Sequence, residues 1–113
     1  MATDLTFVEY VCEQAGLAGA LSFKKMFGEY ALYLDGKVVA LICDNQVFLK
    51  PTAEGRALLS VITEAVPYPG AKPQLRLGDE LDDRELLKRL FITTAMALPM
   101  PKAKAIKRKT KAS

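Results

Sequence analysis

Five acidic side chains fall within seven residues: Asp79, Glu80, Asp82, Asp83 and Glu85. Hard cations such as Ca²⁺ take carboxylate oxygens as ligands, so this stretch has the composition of a metal site. The same residues also precede a segment of helical periodicity, where the helix dipole favours negative charge. The capping explanation needs no ion and is preferred, so no metal is expected. Covalent chemistry fares no better. Cys12 and Cys43 match no metal or redox spacing. Asp44 follows Cys43, and a neighbouring carboxylate raises a thiol pKa rather than activating it. The chain has no histidine to serve as the usual general base. Its glycines form no phosphate-cradling loop of the known kinds. No enzyme and no cofactor are expected.

Binding chemistry has two candidates. Lys24-Lys25 beside Met26-Phe27, with Tyr30, Tyr33 and Phe48 nearby, has the residue types of a phosphate and base-stacking surface. Such surfaces combine aromatics with a basic groove, and here the charge is elsewhere. Residues 1–101 carry ten basic and thirteen acidic side chains, a net of −3; residues 102–113 carry six basic and no acidic ones, +6; together they give the formal +3. Packing is therefore the preferred role for those aromatics. The second candidate is the basic tail: Lys102, Lys104, Lys107, Arg108, Lys109 and Lys111. It either tethers the protein weakly to nucleic acid or another anionic surface, or only solubilises it.

The elements that must position these residues follow from periodicity. Leu5, Val8, Val11, Cys12 and Ala15 recur at helical spacing, with Thr3 or Asp4 as cap and Gly16 beyond the end. Short strands are expected at 22–26, 30–34, 37–43 and 46–50. Asp35-Gly36 and Asp44-Asn45 supply the two tight turns, because these residues tolerate positive φ. Thr52 can cap a second helix running to about Thr63. Pro67-Tyr68-Pro69-Gly70 forms a stiff loop. Residues 74–77 add a short strand, and Asp82 with Glu85 resembles a capping box for a third helix. Leu86, Leu87, Leu90, Phe91, Thr94 and Leu98 stripe that helix until Pro99. The order α-β-β-β-β-α-β-α predicts an α+β fold, with helices packed on a mainly antiparallel sheet of four to five strands. Residues 1–100 form one domain and 101–113 a disordered basic tail, since that composition cannot bury apolar surface.

Two-residue turns fix register, so sheet faces can be assigned from sequence. Pairing Leu34 with Lys37 and Cys43 with Gln46 puts Ala31, Tyr33, Val38, Ala40, Ile42, Val47 and Leu49 on one face, the expected core. The other face carries Tyr30, Leu32, Val39, Leu41 and Phe48 at its centre. That face is more apolar than a solvated sheet surface should be, so these five residues are the candidate dimer or partner face.

Lys24-Lys25-Met26-Phe27-Gly28, the Tyr33–Lys37 hairpin and Asn45–Pro51 together resemble the TfoX N-terminal domain family. Pro67–Pro73 and the Asp82-Asp83-Arg84-Glu85 helix start are similar to small members of that group, and the likeness covers roughly residues 5–100. The resemblance implies a small α+β domain, similar to the secretion-chaperone-like fold, in which a curved antiparallel sheet is often used for dimerisation. It also implies kinship with competence regulators that act with a cyclic-AMP-receptor-type activator. It supplies no catalytic residue.

A non-enzymatic regulatory module is thus expected, homodimeric and in contact with a protein partner. The alternative is a small-molecule-binding domain whose second sheet face lines a pocket. The opening MATDLTFVEY lacks a basic leader and no apolar run approaches the ~20 residues of a membrane span, so a cytoplasmic location and no membrane contact are expected.

Overall fold

The computed structural model describes residues 3–17, 19–26 and 29–99. The first helix, α1 (Leu5–Ala15), buries Val8, Val11 and Ala15 and stops at Gly16, which takes the left-handed conformation at φ 66° that glycine adopts without steric cost. Three hairpin-linked strands and a fourth follow: β1 (Leu21–Met26), β2 (Glu29–Leu34), β3 (Lys37–Cys43) and β4 (Gln46–Leu49). Asp35 and Gly36 have φ of 56° and 76°, and Asp44 and Asn45 have 53° and 57°. Positive φ at both central residues matches the twist of antiparallel strands, which is why these dipeptides close hairpins.

The chain then forms α2 (Ala53–Leu58), a two-residue strand β5 (Glu64–Ala65), β6 (Gln74–Leu77), a 3-10 turn at Asp79–Asp82, and α3 (Arg84–Ala97). All pairings are antiparallel, in the order β1-β2-β3-β4-β6-β5. The α+β expectation holds, with β5 as an added edge strand. Helix α2 stops five residues short of the expected Thr63. Past Leu59 the chain reads Ser60-Val61-Ile62-Thr63, and its β-branched residues favour the extended path that lets Glu64 and Ala65 pair with β6.

The helices pack on one sheet face. Val8, Val11, Leu87, Leu90, Phe91 and Ala95 form one cluster with Leu32, Leu34, Val39, Ala40, Ile42, Val47, Leu49, Leu75 and Leu77. Polar contacts lock the helix ends. Arg84 donates from Nη2 to the Glu13 carbonyl at 3.2 Å and from Nη1 to Gln14 Oε1 at 3.0 Å, placing a cation where α1 exposes its last carbonyls. Lys37 Nζ donates to the Ala95 carbonyl at 2.7 Å, near the end of α3.

One irregularity overturns the expected face assignment. Leu34 pairs with Lys37 and Tyr33 with Val38, as the turn dictates, but Leu32 then pairs with Ala40 and Ala31 with Leu41. Val39 is the extra residue of a β-bulge. Because side chains alternate with period two, one inserted residue exchanges the faces beyond it. Tyr30, Leu32 and Val39, three of the five expected interface residues, lie in the helix-covered cluster. Ala31, Tyr33 and Val38, expected inside, are on the helix-free side with Leu41 and Phe48. The exchange brings the larger set from β2, Tyr30, Leu32 and Leu34, beneath the helices together with Ala40 and Ile42 from β3. An unbulged ladder cannot bury both sets on one side.

Candidate interaction face

The helix-free face is built from alternate residues of five strands. It runs from Lys24 and Met26 on β1, through Ala31 and Tyr33, to Val38, Leu41 and Cys43 on β3, then Phe48 and Arg76. Ala31, Cys43 and Phe48 are buried, Tyr33, Val38 and Leu41 are half-buried, and Met26 is 41% exposed. Lys24 Nζ lies 5.9 Å from the centre of the Tyr33 ring, a cation over a π face. Of the five residues expected to make one face, only Leu41 and Phe48 do so. Tyr33 and Val38 belong to it and were missed, because a bulge carries no residue signature here, and Met26 joins it from β1, to which no face was assigned.

A cavity of about 490 Å³ opens at one end of this face, lined by Met26, Glu29, Tyr30, Leu41, Cys43 and Tyr68. Tyr68 comes from the stiff 67–70 loop, so that loop reaches from the β6 side to residues of β3. Its position between two prolines was the available signal. Glu29 is held in place at the cavity edge: its Oε1 accepts from the Asp44 N–H at 3.1 Å and from the Thr3 hydroxyl. The Asp4 N–H in turn donates to Asn45 Oδ1 at 2.9 Å, clasping the start of α1 to the β3–β4 turn.

Reactive chemistry does not assemble on the face. The Cys43 thiol is pushed above its ordinary range by burial and then by the Glu29 carboxylate. Cys12 is raised by burial and then by Glu9. Both are neutral, weakly nucleophilic thiols at pH 7. The acidic stretch is engaged in structure. Asp83 Oδ1 accepts from the Leu86 N–H at 3.1 Å, Glu80 Oε1 from the Gly78 N–H at 2.8 Å, and Asp82 Oδ1 from the Tyr10 hydroxyl at 3.0 Å. Asp83 is thus the cap that was expected one residue earlier, at Asp82. Among the described residues no group of His, Cys, Asp and Glu is arranged to hold a metal ion. Nor is any described helix long and apolar enough to cross a membrane. The basic tail Lys102–Lys111 lies outside the described residues.

The TfoX N-terminal domain model matches residues 13–96, from the end of α1 through all six strands to α3. The chain belongs to the TfoX N-terminal domain family. A relative of this TfoX N-terminal domain in Spirochaeta aurantia, described as an uncharacterized 12.7 kDa protein in the trpE 5' region, is 43% identical over 110 residues, spanning 97% of this chain and 96% of that protein. No solved structure matches the chain.

Proposed function

We propose that this TfoX N-terminal domain is a non-enzymatic, cytoplasmic interaction module. It forms a homodimer through the helix-free face centred on Tyr33, Val38 and Leu41 with Met26 at its edge, and acts in regulation by contacting a protein partner. The basic tail adds weak, sequence-independent contact with nucleic acid. The observation that supports this reading is a sheet face with aromatic and aliphatic side chains at its centre and, among the described residues, no helix over it. At about 25 cal/mol per Å², burying about 300 Å² of apolar surface on each copy contributes about 15 kcal/mol. Association costs about 4–15 kcal/mol, which leaves about 0–11 kcal/mol and caps the dimer at a dissociation constant of about 10 nM. Leu41→Lys places a charge at the centre of that face without entering the helix-covered core. Light scattering should find a concentration-dependent dimer for the native chain and a folded monomer for the variant. A native chain that is monomeric at high concentration would end the dimer reading.

A second reading rests on the 490 Å³ cavity, which is of the size and apolar character of small-molecule pockets. A monomeric native protein whose melting temperature rises with an apolar ligand would favour it.

A further inference from the structure

The sheet has two edges, and they differ. At one end β5 contributes two residues, with the Arg56–Glu64 ion pair (2.6 Å) beside it. At the other, β1 contributes six, of which Ser22 through Met26 are exposed. Its inner side pairs with β2, and helix α3 packs against β2 and β3 rather than β1. A six-residue strand that, among the described residues, is open along its outer side is a template for another strand.

The side chains restrict what that strand can be. Phe23 (38% exposed) and Met26 (41%) offer one large apolar group on each face of β1. Between them stand Lys24 and Lys25, also on opposite faces, paired across the ladder with Ala31 and Tyr30. Neither lysine forms a salt bridge among the described residues. Glu29, the one acidic residue of β2, is already bonded to Thr3 and Asp44. Edge lysines ordinarily repel incoming strands, and two copies of β1 laid side by side would oppose like charges. The same charges attract a strand of opposite sign, so the edge selects by charge.

We propose that β1 is the acceptor edge for an extended acidic segment of a partner protein, which joins the sheet beyond β1 with the pattern apolar–acidic–acidic–apolar opposite Met26, Lys25, Lys24 and Phe23. The inference rests on the interaction-module reading and names the chemistry of the partner. Main-chain hydrogen bonds hold the segment, and the side chains give specificity.

The test uses the full chain, labelled with ¹⁵N, and a blocked eight-residue peptide with a Val-Glu-Glu-Val centre. Saturable amide shifts are expected on β1 and β2, with slowed hydrogen exchange along β1. N-methylating alternate peptide amides on the pairing side should abolish them. The double variant K24E/K25E, altered only at exposed positions and checked for unchanged melting, should bind this peptide roughly tenfold more weakly and gain affinity for a Val-Lys-Lys-Val counterpart. The proposal is overturned by no saturation at millimolar peptide, by equal binding of both peptides, by shifts centred on Leu41 and Phe48, or by an oligothymidylate that occupies β1 in preference. Repeating the titration on Leu41→Lys separates the two claims. A monomer that still binds the acidic peptide supports the edge whatever the native oligomeric state, and an intact native dimer with a silent β1 removes the edge claim alone.

Discussion

Gly55 sits where three elements converge, and its missing side chain is what lets them do so. A Cβ built there would lie 2.9 Å from Thr52 Oγ1, 3.4 Å from Thr94 Oγ1 and 3.8 Å from Leu49 Cδ2. Thr52 is the cap of α2, its hydroxyl accepting from the Gly55 N–H at 2.9 Å. Any side chain at 55 therefore pushes on the very atom that satisfies its own backbone. Alanine is normally better than glycine inside a helix by about 0.5–1 kcal/mol, but here the sign should reverse. Gly55→Ala is expected to lower stability by about 1–2 kcal/mol, the size of a lost N-cap. Thr52→Ala should cost about the same, and the double variant little more than either, since both remove one interaction. Urea unfolding of the four proteins checks this. Additive losses would mean that the contact between Gly55 and Thr94, rather than the cap, controls the site.

At the scale of elements, the β2–β3 bulge decides which residues are core. Val38 and Val39 are adjacent and chemically identical, yet Val39 is fully buried beneath the helices and Val38 is half-buried on the open face. Val39→Ser should cost about 2–4 kcal/mol, from lost apolar burial and a hydroxyl placed among aliphatic neighbours. Val38→Ser should cost about 1 kcal/mol or less in the monomer. Equal losses in denaturant unfolding would place the inserted residue elsewhere. The hairpins themselves were legible, because Asp35-Gly36 and Asp44-Asn45 name their turn geometry locally. So was the stripe of α3, where Leu87, Leu90, Phe91 and Thr94 are buried as the spacing requires. The bulge was not legible. It answers a competition between two strands for the same helix surface, and nothing within either strand records the outcome. The early end of α2 has the same origin, since pairing with β6 draws in residues whose local preference allowed either structure. The candidate face was therefore half readable: Leu41 and Phe48 lie beyond the bulge, where the β3–β4 turn governs register, while Tyr30, Leu32 and Val39 lie at it or before it.

For the whole molecule the governing asymmetry is charge. Residues 1–101 hold a net −3 and residues 102–113 hold +6, so the pI of about 8.9 describes the tail rather than the body. A polyanion meets two opposed fields, and only the tail attracts it. If the tail neutralises about five phosphates on duplex DNA, the logarithm of affinity should fall with the logarithm of salt at a slope of about −4 to −5. A chain ending at residue 100 should show neither retention nor that slope, because what remains is net acidic and repels the backbone. Column retention of both proteins on DNA-cellulose across a salt series measures the difference directly. Reversing the tail charges in place, with Lys107, Arg108 and Lys109 changed to glutamate, should abolish retention as completely as truncation, since the attraction is Coulombic and needs no particular fold. Equal retention of full-length and shortened chains at every salt concentration would assign the contact to the body. The exposed Lys24 and Lys25 of β1 would then be the cations to examine, and the tail would be left with solubility as its role.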